Sequence, residues 1–307
     1  MIDFLKVLVK DKTIINHIHK NELLIWKSSS EQLSHFDQET INSKETKVYN
    51  GILFCFFEKK LEILIRPHYY HNGNLHNAND FSSAECIKVL NSIILELNLP
   101  DLSSFHIVNI EFGLNTFVPI DVKNFVRFIS YHGRNEFRTD SDHPHSKKSS
   151  TYRKGNRNQY KIIKAYAKSV QFPEYTEGDV FRFEVKSKKS RYIKKLGIYS
   201  IEDLLLEQTY LTLGDQLYKE YKTVLLLDQD LDLSSLNENE KTLLLKLSNP
   251  LYWEKLLNLN RNTFQNNKKR YTKLLDKTGY NLLRETRKIM KDKIASLCCA
   301  NSHILIK

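Results

Sequence analysis

Hydrophobic and polar positions change period partway along the chain. Residues 49–67 (YNGILFCFFEKKLEILIRP) form two aromatic, β-branched runs around Glu58-Lys59-Lys60, predicting a hairpin that Pro67 ends. A loop rich in His and Asn follows. Ser82-Ser83-Ala84-Glu85 then reads as a capping box opening a helix to about Leu97, with Ile87, Leu90, Ile94 and Leu97 on one face. His106–Asn115 alternates as a strand, and Asp121 caps a shorter helix through Ile129. Residues 132–158 are polar and irregular and read as a mobile cationic loop. Two more strands are expected at Gln159–Lys168 and Asp179–Ser187. From Ser200 to about Leu297 the pattern is helical, with helices expected near 250, over 261–275 and over 280–297.

Strands and helices thus segregate along the chain, which predicts an α+β fold. An antiparallel sheet with packed helices occupies residues 1–199, and an all-α part occupies 200–307. That helical part suits either a helix-turn-helix-like DNA-binding unit or a layer covering the sheet, since the apolar spacing fits both.

Charge sharpens the picture. The 307 residues carry a net +11, and residues 146–195 hold 15 Lys and Arg against 4 Asp and Glu, which is the whole excess. A second basic stretch, 255–293, sets 12 basic residues against 3 acidic ones. Concentrated positive charge attracts a polyanion by counterion release, and nucleic acid is the commonest. No run approaches the roughly 18 apolar residues of a membrane span. The N-terminal apolar run is too short for a secretory signal. The four cysteines (Cys55, Cys86, Cys298, Cys299) lack paired spacing, so a reduced, cytoplasmic protein without a zinc site is expected.

Alternation sorts the strand faces. One face of QYKIIKAYAK carries Tyr160, Ile162, Lys164, Tyr166 and Lys168. In DVFRFEVKS, Arg182, Glu184 and Lys186 oppose Phe181, Phe183 and Val185. In HIVNIEFGLN, Val108, Ile110, Phe112 and Leu114 point inward, leaving Asn109, Glu111, Gly113 and Asn115 outward. If the polar faces are shared, two carboxylates, a tyrosine and lysines meet. Carboxylates suit Mg²⁺ or Mn²⁺, and such an ion polarises a scissile phosphate. Tyrosine, with an ordinary pKa of about 10, needs help to ionise, and Lys168 stands about 7 Å along the strand. The plain alternative is a solvent-facing Lys/Glu ladder with a surface tyrosine.

On these residues the chain resembles the replication initiators of filamentous phages, the gene II family of nicking enzymes, and their plasmid relatives. The similar segments are MIDFLKVLV, NGILFCFFEKKLEILIRPHYYHNGNLHNANDF, IVNIEFGLN, KIIKAYAKSVQ and VFRFEVKSKKSRYIKKLGI, in order over roughly residues 1–205. Arg66-Pro67-His68-Tyr69-Tyr70 departs from the Gly-Ser-Leu-His-Lys of many relatives, and the chain is shorter in its C-terminal third. The resemblance implies rolling-circle initiation by nicking through a covalent 5′-phosphotyrosine, with Tyr166 as nucleophile and Lys168 beside it. It implies Glu111 and Glu184 as ligands of Mg²⁺ or Mn²⁺. Single-stranded or hairpin origin DNA is the implied partner, followed by a host helicase and polymerase. Nucleic-acid contacts are expected from His76, Asn77, Arg153, Lys154, Arg157, Lys164, Arg182, Lys186, Lys188, Lys189 and Arg191. The alternative is a catalytically inactive DNA- or RNA-binding regulator on the same scaffold. A competing metal motif, two histidines flanking an apolar residue, is matched literally by His17-Ile18-His19 and less well by His143-Pro144-His145.

Overall fold

The computed structural model describes residues 1–33, 40–153, 156–228 and 230–298. The chain begins with β1 (Ile2–Val9), α1 (Lys12–His19), β2 (Ile25–Leu33), β3 (Thr40–Tyr49), β4 (Ile52–Phe57) and β5 (Lys60–Ile65). It continues through α2 (Pro67–His71), α3 (Ser83–Glu96), β6 (His106–Phe117), α4 (Val122–Phe128), β7 (Ile129–His132) and β8 (Asn135–Thr139). Next come β9 (Ser146–Arg153), β10 (Asn156–Ala167), α5 (Lys168–Gln171), β11 (Val180–Ser187), α6 (Ser190–Lys195), α7 (Glu207–Lys222) and β12 (Val224–Leu226). Helices α8 (Glu238–Ser248), α9 (Pro250–Leu257), α10 (Arg261–Leu275) and α11 (Leu282–Cys298) complete the described chain.

The molecule is α+β, as its alternation predicts. The strands form a twelve-stranded sheet in the order β12-β7-β8-β9-β10-β11-β6-β1-β5-β4-β3-β2. Local chemistry explains several boundaries. Ser82 caps α3 in a reciprocal capping box with Glu85, and Asp121 accepts the Asn124 amide to start α4. The β4–β5 hairpin turns at the expected place, pairing Phe57 with Lys60.

Two expectations are corrected. Residues 132–158 are not a loop, because β8, β9 and the start of β10 run through them, with Phe137 opposite Ser149 and Ser149 opposite Ile163. The consecutive Lys147 and Lys148 of β9 point to opposite faces, Lys147 donating to the Arg127 and Ile129 carbonyls and Lys148 pairing with Asp140. In β6 the alternation slips at a bulge: Val7 pairs with Ile107 and Lys6 with Asn109. Ile107 is therefore buried with the core and Val108 only half-buried.

The apolar faces of β1, β6, β10 and β11 build the main core under α3, α7 and α11, where Phe183 meets Tyr221 edge to face at 5.2 Å. A second cluster joins Trp253, Phe264 and Tyr271 from α9 and α10 to Tyr131 and Leu225 at the far edge of the sheet. The helices beyond residue 200 thus serve two places, α7 and α11 on the sheet and α8–α10 at its edge.

Gly113 lets β6 and β11 close up beside a charged side chain. A Cβ there would stand 2.4 Å from the Phe183 carbonyl oxygen and 2.7 Å from Glu184 Cγ. Gly113→Ala is expected to lower unfolding free energy by about 1–3 kcal/mol, as overpacking does. Urea unfolding reads this, and an unchanged midpoint would show that the strands can part at no cost.

Candidate active site

Register brings the three predicted polar faces into one row. On β10 and β11, Tyr166 pairs with Arg182 and Lys164 with Glu184. On β11 and β6, Arg182 pairs with Asn115, Glu184 with Gly113 and Lys186 with Glu111. Adjacent strands stand about 4.8 Å apart, so these side chains meet across the sheet.

The centre of the row is Arg182, only 1% exposed. Its Nε donates to Glu184 Oε1 at 2.6 Å and its Nη1 to Asn115 Oδ1 at 2.7 Å, while Nη2 donates to Asp3. Asp3 reaches this face because β1 bulges between Ile2 and Phe4 against Phe112 and Glu111. Burial works to raise the Asp3 carboxyl, but Arg182 and then His68 hold it well below the usual carboxylate range. His68 Nδ1 lies 3.3 Å from Asp3 Oδ1, and its ring stacks on Phe81 at 4.6 Å. Burial lowers His68 to about 4 against the pull of Asp3, so the imidazole is neutral near pH 7.

The Tyr166 hydroxyl donates to the same Glu184 oxygen at 2.6 Å. Burial and then Glu184 push this hydroxyl well above its ordinary 10, so it keeps its proton at neutral pH. The other Glu184 oxygen lies 3.1 Å from Lys164 Nζ, which also donates to Glu111 at 2.5 Å. Burial opposes the Lys164 charge, yet Glu184 and Glu111 outweigh it and hold the ammonium above the lysine range. Lys186 completes the set with an ion pair to Glu111. Three carboxylates (Asp3, Glu111, Glu184) thus face three cations (Arg182, Lys164, Lys186).

That balance bears on the expected ion. An ammonium already stands between Glu111 and Glu184, and among the described residues no three His, Cys, Asp or Glu side chains gather as a metal-binding group. Lys164 thus takes the place between the two glutamates that a Mg²⁺ or Mn²⁺ ion would need. The paired histidines are engaged separately. His17 Nε2 meets the Asn98 carbonyl at 3.1 Å and His19 Nε2 meets Glu45 at 2.7 Å, on separate partners.

Lys168 is not on the strand. It opens α5, fully buried, donating to Asn77 Oδ1 at 2.5 Å and Gln171 Oε1 at 2.9 Å. Its ammonium lies 5.4 Å from the Tyr166 ring centroid rather than at the hydroxyl. Burial, then Arg182, lowers it to about 7.

The expected DNA contacts divide by exposure. Arg182 and Asn77 are corrected from nucleic-acid contacts to internal supports, since both are buried and bonded within the protein. Lys164 and Lys186 are held by carboxylates. Lys188, Lys189 and Arg191 are exposed around the β11–α6 junction, without an ion pair among the described residues. His76 is half-buried against Tyr175. Lys154 and the side chains of Arg153 and Arg157 lie outside the described residues.

Tyr166 and Lys164 line an open cavity of about 470 Å³ whose other walls include His143, His145 and Lys148. The His143-Pro144-His145 segment is tied there by the Ala167 amide donating to the His145 carbonyl at 2.9 Å. Sequence reasoning missed Asp3 and His68. A lone carboxylate inside the apolar run MIDFLKVLV was the available signal for Asp3. None marked His68.

Lys168 gives a pH test. Between about pH 7 and its ordinary 10.5 the unfolded chain binds a proton that the folded chain lacks, so its contribution makes stability rise with pH across that window. Lys168→Met is expected to flatten this rise, read by urea midpoints at pH 7 and pH 10. An identical slope in both proteins would place the ammonium in a wetter environment.

No family model matches the chain, and no curated protein matches it. Among solved structures, the rolling circle replication initiator protein from Geobacillus stearothermophilus aligns with 84% of this chain and 94% of its own, at 9% identity and a TM-score of 0.41.

Proposed function

We propose that the chain nicks and rejoins one strand of origin DNA through a tyrosine–phosphate linkage, as a rolling-circle replication initiator does. The observation carrying this reading is the Tyr166 hydroxyl, set on Glu184 at 2.6 Å, on a side chain that lines a cavity with Lys148 and Lys164. A nucleophile within hydrogen-bond reach of a base, with the base oriented by a third group, is the arrangement covalent catalysis requires. Here Arg182 is that third group.

In the reaction, Tyr166 Oη forms a bond to the scissile phosphorus while its proton passes to Glu184. The bond from phosphorus to the 3′-oxygen breaks, and that oxygen takes a proton from solvent. The DNA 5′ end stays on the protein as a phosphotyrosine ester, so the reverse attack rejoins the strand without ATP. Lys164, between the glutamates, offsets charge developing at the phosphate. The raised Tyr166 hydroxyl loses its proton only as attack proceeds, which is why a positioned base matters.

The exposed cations at the β11–α6 junction also suit a catalytically silent DNA- or RNA-binding regulator. One assay separates the readings. Random-sequence single-stranded and hairpin oligonucleotides, labelled at the 3′ end, are incubated with the protein with and without Mg²⁺ or Mn²⁺ and examined for adducts that survive SDS. Wild type is expected to form them, Tyr166→Phe to form none, and Glu184→Gln to form them about 10²–10⁴ times more slowly. Adducts on Tyr166→Phe would place the nucleophile elsewhere. None on wild type would favour the silent regulator.

Replacing Lys188, Lys189 and Arg191 with neutral residues is expected to flatten the log–log dependence of DNA affinity on salt by about two to three units. The loss should be nearly equal for every sequence, because phosphate contacts carry little sequence information. An unchanged slope would move the DNA path away from this junction.

A further inference from the structure

A second cavity, of about 500 Å³, opens at the ends of the strands that carry the site. Val180 on β11 pairs with Phe117 on β6 there, two residues from Arg182, or about 7 Å along the strand. Tyr166 pairs with Arg182 itself, so Val180 on the cavity wall lies two residues along β11 from the strand partner of Tyr166.

Aromatic side chains at its rim are unusually open. Phe117 is 59% exposed and Tyr175 is 40% exposed. The His76 ring lies against Tyr175 with centroids 4.0 Å apart and planes 25° apart. His76 thus backs one face of Tyr175 and stiffens it, a suitable platform for a stacked base. The cavity also selects by charge. Lys293 neutralises Asp80, but Glu174 and Glu177 line the wall with no ion pair among the described residues. Two free carboxylates repel phosphate and accept hydrogen bonds from amino groups. The neighbouring amides are committed elsewhere. Asn115 donates to the carbonyls of Ala78 and Asn79, and the Asn79 amide is bonded to Asn72 and His68. Glu174 and Glu177 remain as charged acceptors for a ligand.

We infer that this cavity holds one unpaired base bearing an exocyclic amine, stacked at Tyr175 and Phe117 with its amino group on Glu174 or Glu177. The inference rests on single-stranded DNA being the substrate, and gives the proposed nicking site a base-reading pocket beside the reacting phosphate. Cytosine, whose amine suits a carboxylate partner, is the base the wall fits best.

The test compares labelled dC12 and dU12, which differ at this edge by amine against carbonyl. Binding is measured at fixed salt on the full chain carrying Tyr166→Phe, so strand cleavage plays no part. dC12 is expected to bind about tenfold more tightly than dU12. Adding Tyr175→Ala should weaken dC12 about tenfold, while Tyr175→Phe should keep the wild-type affinity. Glu174→Gln with Glu177→Gln should erase the preference and strengthen dU12, because the repulsion of phosphate is removed. Equal binding of dC12 and dU12 by the parent protein, or a Tyr175→Ala variant that folds and binds unchanged, would overturn the pocket. Adduct formation with no base preference removes this inference alone. A Tyr175-dependent preference without any adduct from wild type removes the nicking reading and leaves the pocket.

Discussion

A buried guanidinium organises this site. Arg182 has almost no contact with solvent, and a charge so placed is tolerated only when paired and hydrogen-bonded. Its partners come from three strands: Asp3 from β1, Asn115 from β6 and Glu184 from its own β11. Removing one partner of a buried pair typically costs about 3–5 kcal/mol, because the other charge is left uncompensated. The requirement therefore fixes the relative position of β1, β6 and β11 as firmly as the core beneath them. Asn115 extends the constraint outward, since its amide nitrogen holds the carbonyls of Asn77, Ala78 and Asn79.

Glu184 carries the consequences. One of its oxygens accepts from both Arg182 and Tyr166, and the other faces Lys164. A carboxylate held from three sides cannot rotate away, which keeps Glu184 on the tyrosine hydroxyl. Gly113 makes room for it, because a side chain on that part of β6 would collide with Glu184. The same carboxylate thus supports the fold and faces the Tyr166 hydroxyl. Lys168, by contrast, acts beneath the ring, tying α5 to the His-Asn loop through Asn77.

Electrostatics divides the basic residues into two populations that composition cannot distinguish. Arg182, Lys164 and Lys186 are neutralised by Asp3, Glu184 and Glu111, so they add little to the outer field. Lys188, Lys189 and Arg191 remain exposed and supply attraction for a polyanion. The helical part shows a similar division by place. Tyr210, Leu217 and Met290 close the back of the sheet, while Trp253 and Phe264 centre a separate cluster beside β7 and β12.

The sequence by itself determined what depends on neighbours within a few residues. Strand alternation placed Tyr166, Lys164, Arg182, Glu184 and Glu111 on polar faces, because side chains point to opposite sides with a period of two. Local capping set the start of α3 at Ser82 and of α4 at Asp121. Only the tertiary structure decided which faces meet and which charges cancel. Asp3 and Arg182 are 179 residues apart in sequence, and no local period reports a pair so distant. A bulge turns Asp3 toward the site, and another turns Ile107 inward in place of Val108; each extra residue is visible only against its partner strand. Strands β8 and β9 were illegible for the same reason: their polar residues lack an apolar stripe, and their pairing with β10 supplies the order that composition withholds.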